Sequence, residues 1–368
     1  MEFALFYEIP VARPWSRTSE LEAYQNTLAQ AVAADELGWH SFWSVEHHFL
    51  EQYSHCSNPE VLYGAIAART ERLRIGYGVR LAPKPYNHPV RSAESAAVLD
   101  LISNGRVEFG TGRSSTRPEM EGFGVHPDET RPMWQEAIEH IVGCWTNDEY
   151  EFEGKYWSMP KRRVLPKPIQ DPHPPVWGAT GSDGGSRLMG ELGIGFLSFS
   201  VGVPPEELAR RIGLYREGLA ACTTPLGATV NPRSACFTMV NCAATRQHSY
   251  EVSRQSFEWY PREAARLLAT VPAWLDEMDA GGEYGTYDYL KMAVKATTVP
   301  ERVSFDNLIA TQAAIAGTPD EVVELVRAYE ATGCDLLLCL VNPYNIGHED
   351  VMNTIELMGR YVIPEFSG

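Results

Sequence analysis

Three short clusters in this chain set ionisable or anion-binding side chains beside an apolar run. Glu46-His47-His48-Phe49 places three adjacent ionisable residues directly after Ser41 to Val45. Histidine titrates near neutral pH, so a histidine here can take or deliver a proton during turnover. Two other readings compete: a metal set drawn from Glu46, His47, His48, His55 and Cys56, and a histidine pair that only packs a loop. The metal reading has neither an HExxH nor a paired-cysteine spacing behind it. In Gly110-Thr111-Gly112-Arg113-Ser114-Ser115, small residues and hydroxyls leave backbone N–H groups free for an anion, and Arg113 adds a forked cation. A dinucleotide fingerprint is absent, because position 115 is Ser, and a plain turn is the alternative. Thr180-Gly181-Ser182-Asp183 opens a helix, whose first N–H groups and dipole attract anions, although Ser182 or Asp183 could equally be an ordinary N-cap.

Two further segments are less telling. Gly76-Tyr77-Gly78-Val79 would let the backbone approach a flat ligand or would serve corner packing. Asn87-His88-Pro89-Val90-Arg91 reads as helix-start punctuation.

The elements that must position these clusters alternate. Phe3–Tyr7 is a short apolar run, Ser19-Glu20-Leu21-Glu22 has the form of a capping box, and Leu21, Tyr24, Leu28, Ala31 and Val32 recur at helical spacing until Gly38. Strands follow at 41–45, 73–79, 107–111, 176–179, 195–199, 235–243 and 335–341. Helices are expected at 90–103, 131–145, 182–192 and 205–217. Eight strands alternating with helices imply a parallel sheet, and favour an α/β chain closed as a (β/α)8 TIM barrel over an open sheet. The clusters then fall at the carboxyl ends of the strands, where such barrels carry their active sites. Residues 1–368 are read as one domain. Within it, 146–175 is a hairpin and Pro-rich insertion, and 260–304, with Gly281-Gly282-Glu283-Tyr284-Gly285, is a lid insertion.

A net charge of −17 without any Lys/Arg run argues against a nucleic-acid partner. No stretch of about 18 apolar residues would span a membrane. Met1–Tyr7 lacks the features of a signal peptide, so a cytoplasmic protein is expected. The seven scattered cysteines form no CxxC pair and read as reduced thiols.

At Gly38–Phe49, His88–Asp100, Ser103–Arg113, and Gly317–Val322 before Cys334–Leu338, the sequence resembles the luciferase-like flavin monooxygenases. The resemblance implies reduced FMN bound at the barrel mouth and supplied by a separate flavin reductase. It also implies molecular oxygen as co-substrate, a flavin hydroperoxide, and transfer of one oxygen atom to a small-molecule substrate. It assigns catalysis to His47, as base, and to His48, which supports the loop. It assigns the cofactor phosphate to Arg113 and Ser182, with Thr111, Thr180 and Gly181 close by. Gly78-Val79 matches the place where many relatives have a non-prolyl cis peptide beside the isoalloxazine. Gly112 stands where light-emitting relatives carry a cysteine, and Gly181 replaces an acidic residue, so an oxygenase that does not emit light is expected. A homodimer is implied too. The alternatives on the same barrel are a deazaflavin-dependent dehydrogenase and a non-catalytic partner subunit.

Overall fold

In a computed structural model that describes residues 1–277 and 301–366, eight parallel strands close into a barrel. They are β1 (Glu2–Tyr7), β2 (Ser41–Ser44), β3 (Arg74–Tyr77), β5 (Val107–Gly112), β8 (Val176–Thr180), β9 (Gly195–Ser198), β10 (Ser234–Cys242) and β12 (Leu336–Leu340). A two-residue strand, β4 (Arg80–Leu81), adds to β5, and β11 (Ile315–Gly317) adds to β10. Each barrel strand pairs in parallel with its neighbour, as in Leu5 opposite Phe42 and Phe3 opposite Leu337. Pairing of Ala235 with Leu197 closes the ring.

Strands covered on both sides need continuous apolar sequence rather than alternation. Phe3 to Tyr7 and all of β10 are buried accordingly. The outer layer contains α1 (Ser19–Glu36), α2 (Pro59–Ala67), α3 (Pro89–Ile102), α5 (Thr130–Thr146), α6 (Asp183–Glu191), α7 (Pro205–Ala221) and α8 (Arg246–Leu268). Gly38, with φ near 80°, ends the first helix in a conformation that glycine adopts without a Cβ penalty.

The amino-terminal rim of the barrel is stapled by charge. The Arg106 guanidinium donates to the carbonyls of Ala67, Thr70, Leu73 and Ser103, tying α2 and the loop after α3 to the start of β5. Asp100 accepts from the backbone N–H groups of Ile169 and Gln170 and anchors the Pro-rich connector. All seven cysteines are free thiols.

Several sequence expectations need correcting. The first helix starts at Ser19 as expected, but without the capping box: Thr18 occupies the N-cap position, makes no side-chain bond to the helix backbone, and its hydroxyl donates to the Glu22 carboxylate at 2.7 Å. The expected strand 73–79 ends at Tyr77, before Gly78-Val79, and β4 follows beyond its expected end. Two helices lay unread between strands, α2 and α4 (Arg117–Phe123), each with Pro in its first turn, as was the short strand β11. The insertion expected from Tyr260 begins inside α8, a 23-residue helix that carries Pro261, and is followed by α9 (Thr270–Glu277). The glycine-rich part of that expectation, Gly281–Gly285, lies outside the described residues. In the segment 146–175, β6 (Tyr150–Glu153) and β7 (Ser158–Arg162) pair antiparallel with Phe152 opposite Met159.

Candidate active site

The carboxyl ends of the strands surround a cavity of about 570 Å³, a size within the usual range for cofactor and substrate sites. Every sequence cluster with chemical potential reaches this end of the barrel, but not every member reaches the cavity. His47, Gly78, Val79, Gly112, Arg113, Thr180 and Gly181 line it. His48, Thr111 and Ser182 stand behind the wall.

His47 follows β2 and points inward. Its Nδ1 lies 2.8 Å from Glu119 Oε1, and its Nε2 lies 3.7 Å from Glu8 Oε2. Glu119 sits on α4, fully buried, and its second oxygen accepts from the hydroxyls of Ser114 at 2.9 Å and Thr116 at 2.5 Å. Burial alone would strip His47 of its proton. The charge and hydrogen bond of Glu119, with the charges of Glu8 and Glu46, outweigh burial and raise its pKa to about 9. For Glu119, burial raises the pKa, but His47 and the two hydroxyls outweigh it and bring it below the ordinary carboxylate value.

His48, one residue on, faces away from the cavity, as successive side chains do on extended backbone. Its ring packs edge-on against Phe123 at 4.8 Å and near Tyr86, its Nε2 is 3.6 Å from Glu46, and its backbone N–H donates to Glu119. Its work here is to hold the loop and the Glu119 carboxylate. Glu46 accepts from the Leu81 N–H and from Asn87, which fixes the loops after β2 and β4 to each other.

On another side of the cavity, Arg113 leaves the end of β5 and donates to Thr130 at 2.9 Å. Ser182 is the N-cap of α6 and accepts from the Gly185 N–H. The Asp183 carboxylate, which would repel an anion at that helix start, is drawn aside by Arg210 at 2.6 and 2.9 Å. Thr111 is locked between the Trp177 carbonyl and the Trp134 indole N–H. The Gly78-Val79 peptide is cis. A Cβ at Gly112 would come within 2.5 Å of Val79 Cγ2, so any side chain there would have to displace Val79. A Cβ at Gly181 would sit in ordinary contact with Phe199, 3.5 Å from its Cβ, so the position has room for a methyl group.

Sequence reasoning passed over Glu8, Glu119 and Tyr260. Glu8 was accessible by rule, being a charged residue directly after an apolar strand. Among the described residues, no group of three or more His, Cys, Asp or Glu side chains is placed to hold a metal ion.

His47 with its carboxylate partner and Arg113 with the start of α6 thus face one cavity at the carboxyl end of a (β/α)8 barrel, where such barrels carry their active sites. The model of the luciferase-like monooxygenases matches residues 1–336, and the chain belongs to that family. It is therefore a monooxygenase of the luciferase-like class. Over its whole length it is 24% identical to the oxygenase component of a flavin-dependent trigonelline monooxygenase from Acinetobacter baylyi, covering 96% of that protein. The oxygenating constituent of 3,6-diketocamphane monooxygenase from Pseudomonas putida, solved in complex with FMN, superposes with a TM-score of 0.77 at 22% identity. That match covers 99% of this chain and 98% of the other. An F420-dependent secondary alcohol dehydrogenase shares the fold with a TM-score of 0.72 at 19% identity, over 100% and 99% of the two chains. No helix among the described residues is long and apolar enough to cross a membrane.

Proposed function

We propose that this chain is the oxygenase component of a two-component system, which takes reduced FMN from a separate flavin reductase and uses molecular oxygen to oxygenate a small organic substrate. The observation that carries this reading is a single cavity with the His47–Glu119 pair on one wall and the Arg113, Thr180, Gly181 cradle on another. The residues present fit FMN. The start of α6 and the Arg113 guanidinium, on the cavity wall with Thr180 and Gly181, suit a phosphate. The Gly78-Val79 and Gly112 wall leaves room for a flat ring system beside it. When bound, reduced flavin supplies the two electrons and the oxygen-transfer chemistry.

The protein's own contributions are three. Arg113 and the α6 start hold the phosphate, with Ser182 shaping that start and Thr111 setting the strand end. The apolar wall, including Val79, Leu197 and Phe237, excludes water. His47, protonated at neutral pH, presents a cation and a donatable proton to the cavity, so the base expected from sequence becomes an acid in the resting enzyme. Titrating the protein with FMN and with riboflavin tests the cradle: FMN binds more tightly, and equal affinity would show that the phosphate lies elsewhere.

The reading extends to a homodimer. On the outer face of α3, Val98, Leu101 and Ile102 are 46%, 43% and 56% exposed, and Ile169, at 54%, lies beside them where its N–H meets Asp100. An apolar strip on one regular helix suits a self-complementary two-fold contact. Light scattering should give twice the chain mass of 41.0 kDa, and Leu101→Glu with Ile102→Glu should give the monomer with its circular dichroism unchanged. A wild-type monomer at micromolar concentration would remove the dimer from the account.

A further inference from the structure

We propose that Glu8 is a second proton-exchanging residue of this site, whose Oε2 takes the proton of a hydroxyl or N–H group on the bound substrate. The enzyme would thereby select apolar molecules that carry such a donor. This deepens the oxygenase reading and rests on it only for the reaction that follows.

Glu8 emerges from the end of β1 into the cavity wall and is 2% exposed. Its two oxygens are treated differently. Oε1 accepts from the Tyr260 hydroxyl at 2.6 Å, and Tyr260 accepts in turn from Tyr53 at 2.8 Å, so the carboxyl group is aimed by α8 and by the loop after β2. Oε2 is buried and accepts no hydrogen bond among the described residues. The nearest cation, His47 Nε2, is 3.7 Å away, beyond hydrogen-bond reach. A buried acceptor without a donor is costly, and Glu8 lines the cavity, so a ligand donor that displaces the wall enough to reach Oε2 supplies what the fold does not.

The groups that face Glu8 are His47, Tyr53, Tyr260 and, across His47, Glu119. Burial raises the Glu8 pKa, the His47 charge and the two tyrosine hydroxyls draw it back, and Glu119 adds to the rise. A carboxylate so placed is a stronger base than one in water. His47, already protonated, cannot accept. The two neighbours thus divide the acid and base roles, a division that opposed environments produce. In the step itself the substrate O–H or N–H bond breaks and an O–H bond forms on Glu8. The electron pair stays on the substrate heteroatom, which becomes more electron-rich for oxygen transfer. Phe6 and Tyr53, beside Glu8 in the wall, favour an aromatic body for that donor.

The test uses phenol and its methyl ether, anisole, as matched probes. Each is titrated into ¹⁵N-histidine-labelled protein, with and without FMN, while the His47 ring nitrogens are followed by NMR. Phenol should bind roughly tenfold more tightly than anisole, the scale of a hydrogen bond to a charged group. Glu8→Gln should reduce that preference to about threefold or less while His47 stays protonated through its bond to Glu119. Equal binding of the two probes by the wild type, or binding of neither, overturns the proposal and needs no variant to do so. FMN affinity is measured on the same samples. Protein that prefers phenol but does not bind FMN keeps Glu8 and loses the oxygenase reading; protein that binds FMN without the preference does the reverse.

Discussion

Replacing His47 by alanine should lower oxygenated product per unit time at least tenfold, and by as much as the roughly 10²–10⁴-fold that a positioned proton donor contributes, while FMN affinity changes less than about twofold. The geometry separates the two effects. His47 contacts Glu119 and faces Glu8, whereas the anion cradle around Arg113 and the start of α6 is made by other strand ends. Glu119→Gln is the sharper variant, because the imidazole stays while its strongest partner is lost. Without that carboxylate, burial dominates and the His47 pKa falls from about 9. Since the acid form is the active one, the alkaline limb of the pH–rate profile should move to lower pH. A His47→Ala enzyme with wild-type turnover of any substrate the wild type accepts would remove His47 from the chemistry. An unmoved alkaline limb in Glu119→Gln would show that this pair does not set it.

Arg113→Ala should weaken FMN binding by about 1.5–3 kcal/mol, the net worth of a hydrogen bond to a charged group, or roughly 10- to 150-fold. Riboflavin, which lacks the phosphate, should bind the variant and the wild type alike. Arg113 donates to Thr130 at the start of α5, so its removal also takes one partner from a hydroxyl that donates to the Pro127 carbonyl, and a thermal melt separates loss of affinity from loss of fold. If the variant loses riboflavin as strongly as FMN, Arg113 supports the ring end of the cavity or its wall.

The barrel was readable because its strands are short, mostly buried along their whole length, and alternate with helical segments. Val107 to Gly112 is wholly buried, and no other element type buries six consecutive residues of that pattern so economically. Boundaries moved where local bonds outweighed pattern. Pro89 rather than Val90 opens α3, with His88 at the N-cap and its Nδ1 accepting from the Val90 N–H.

The site was readable only in part. His47 and Arg113 are visible as the residues that follow strands. His48, expected to support the loop, diverges from its chain neighbour on the extended segment and packs with aromatics there. Glu119 lies 72 residues from His47, and Tyr260 lies 252 residues from Glu8, and nothing local marks either pairing. The Ser103–Arg106 segment, among the plainest parts of the family pattern, turned out to serve the opposite rim, where Arg106 spends its guanidinium on carbonyls. Pattern strength followed structural demand there, not chemistry.

The central claim is tested most directly by titrating the purified protein anaerobically with photoreduced FMN and then mixing it rapidly with oxygenated buffer while recording the flavin absorbance. The account predicts saturable binding of reduced FMN, followed by a transient spectrum distinct from both reduced and oxidised flavin before reoxidation completes. Failure to bind reduced FMN would contradict it, and binding of a reduced deazaflavin in its place would assign the cavity to hydride transfer.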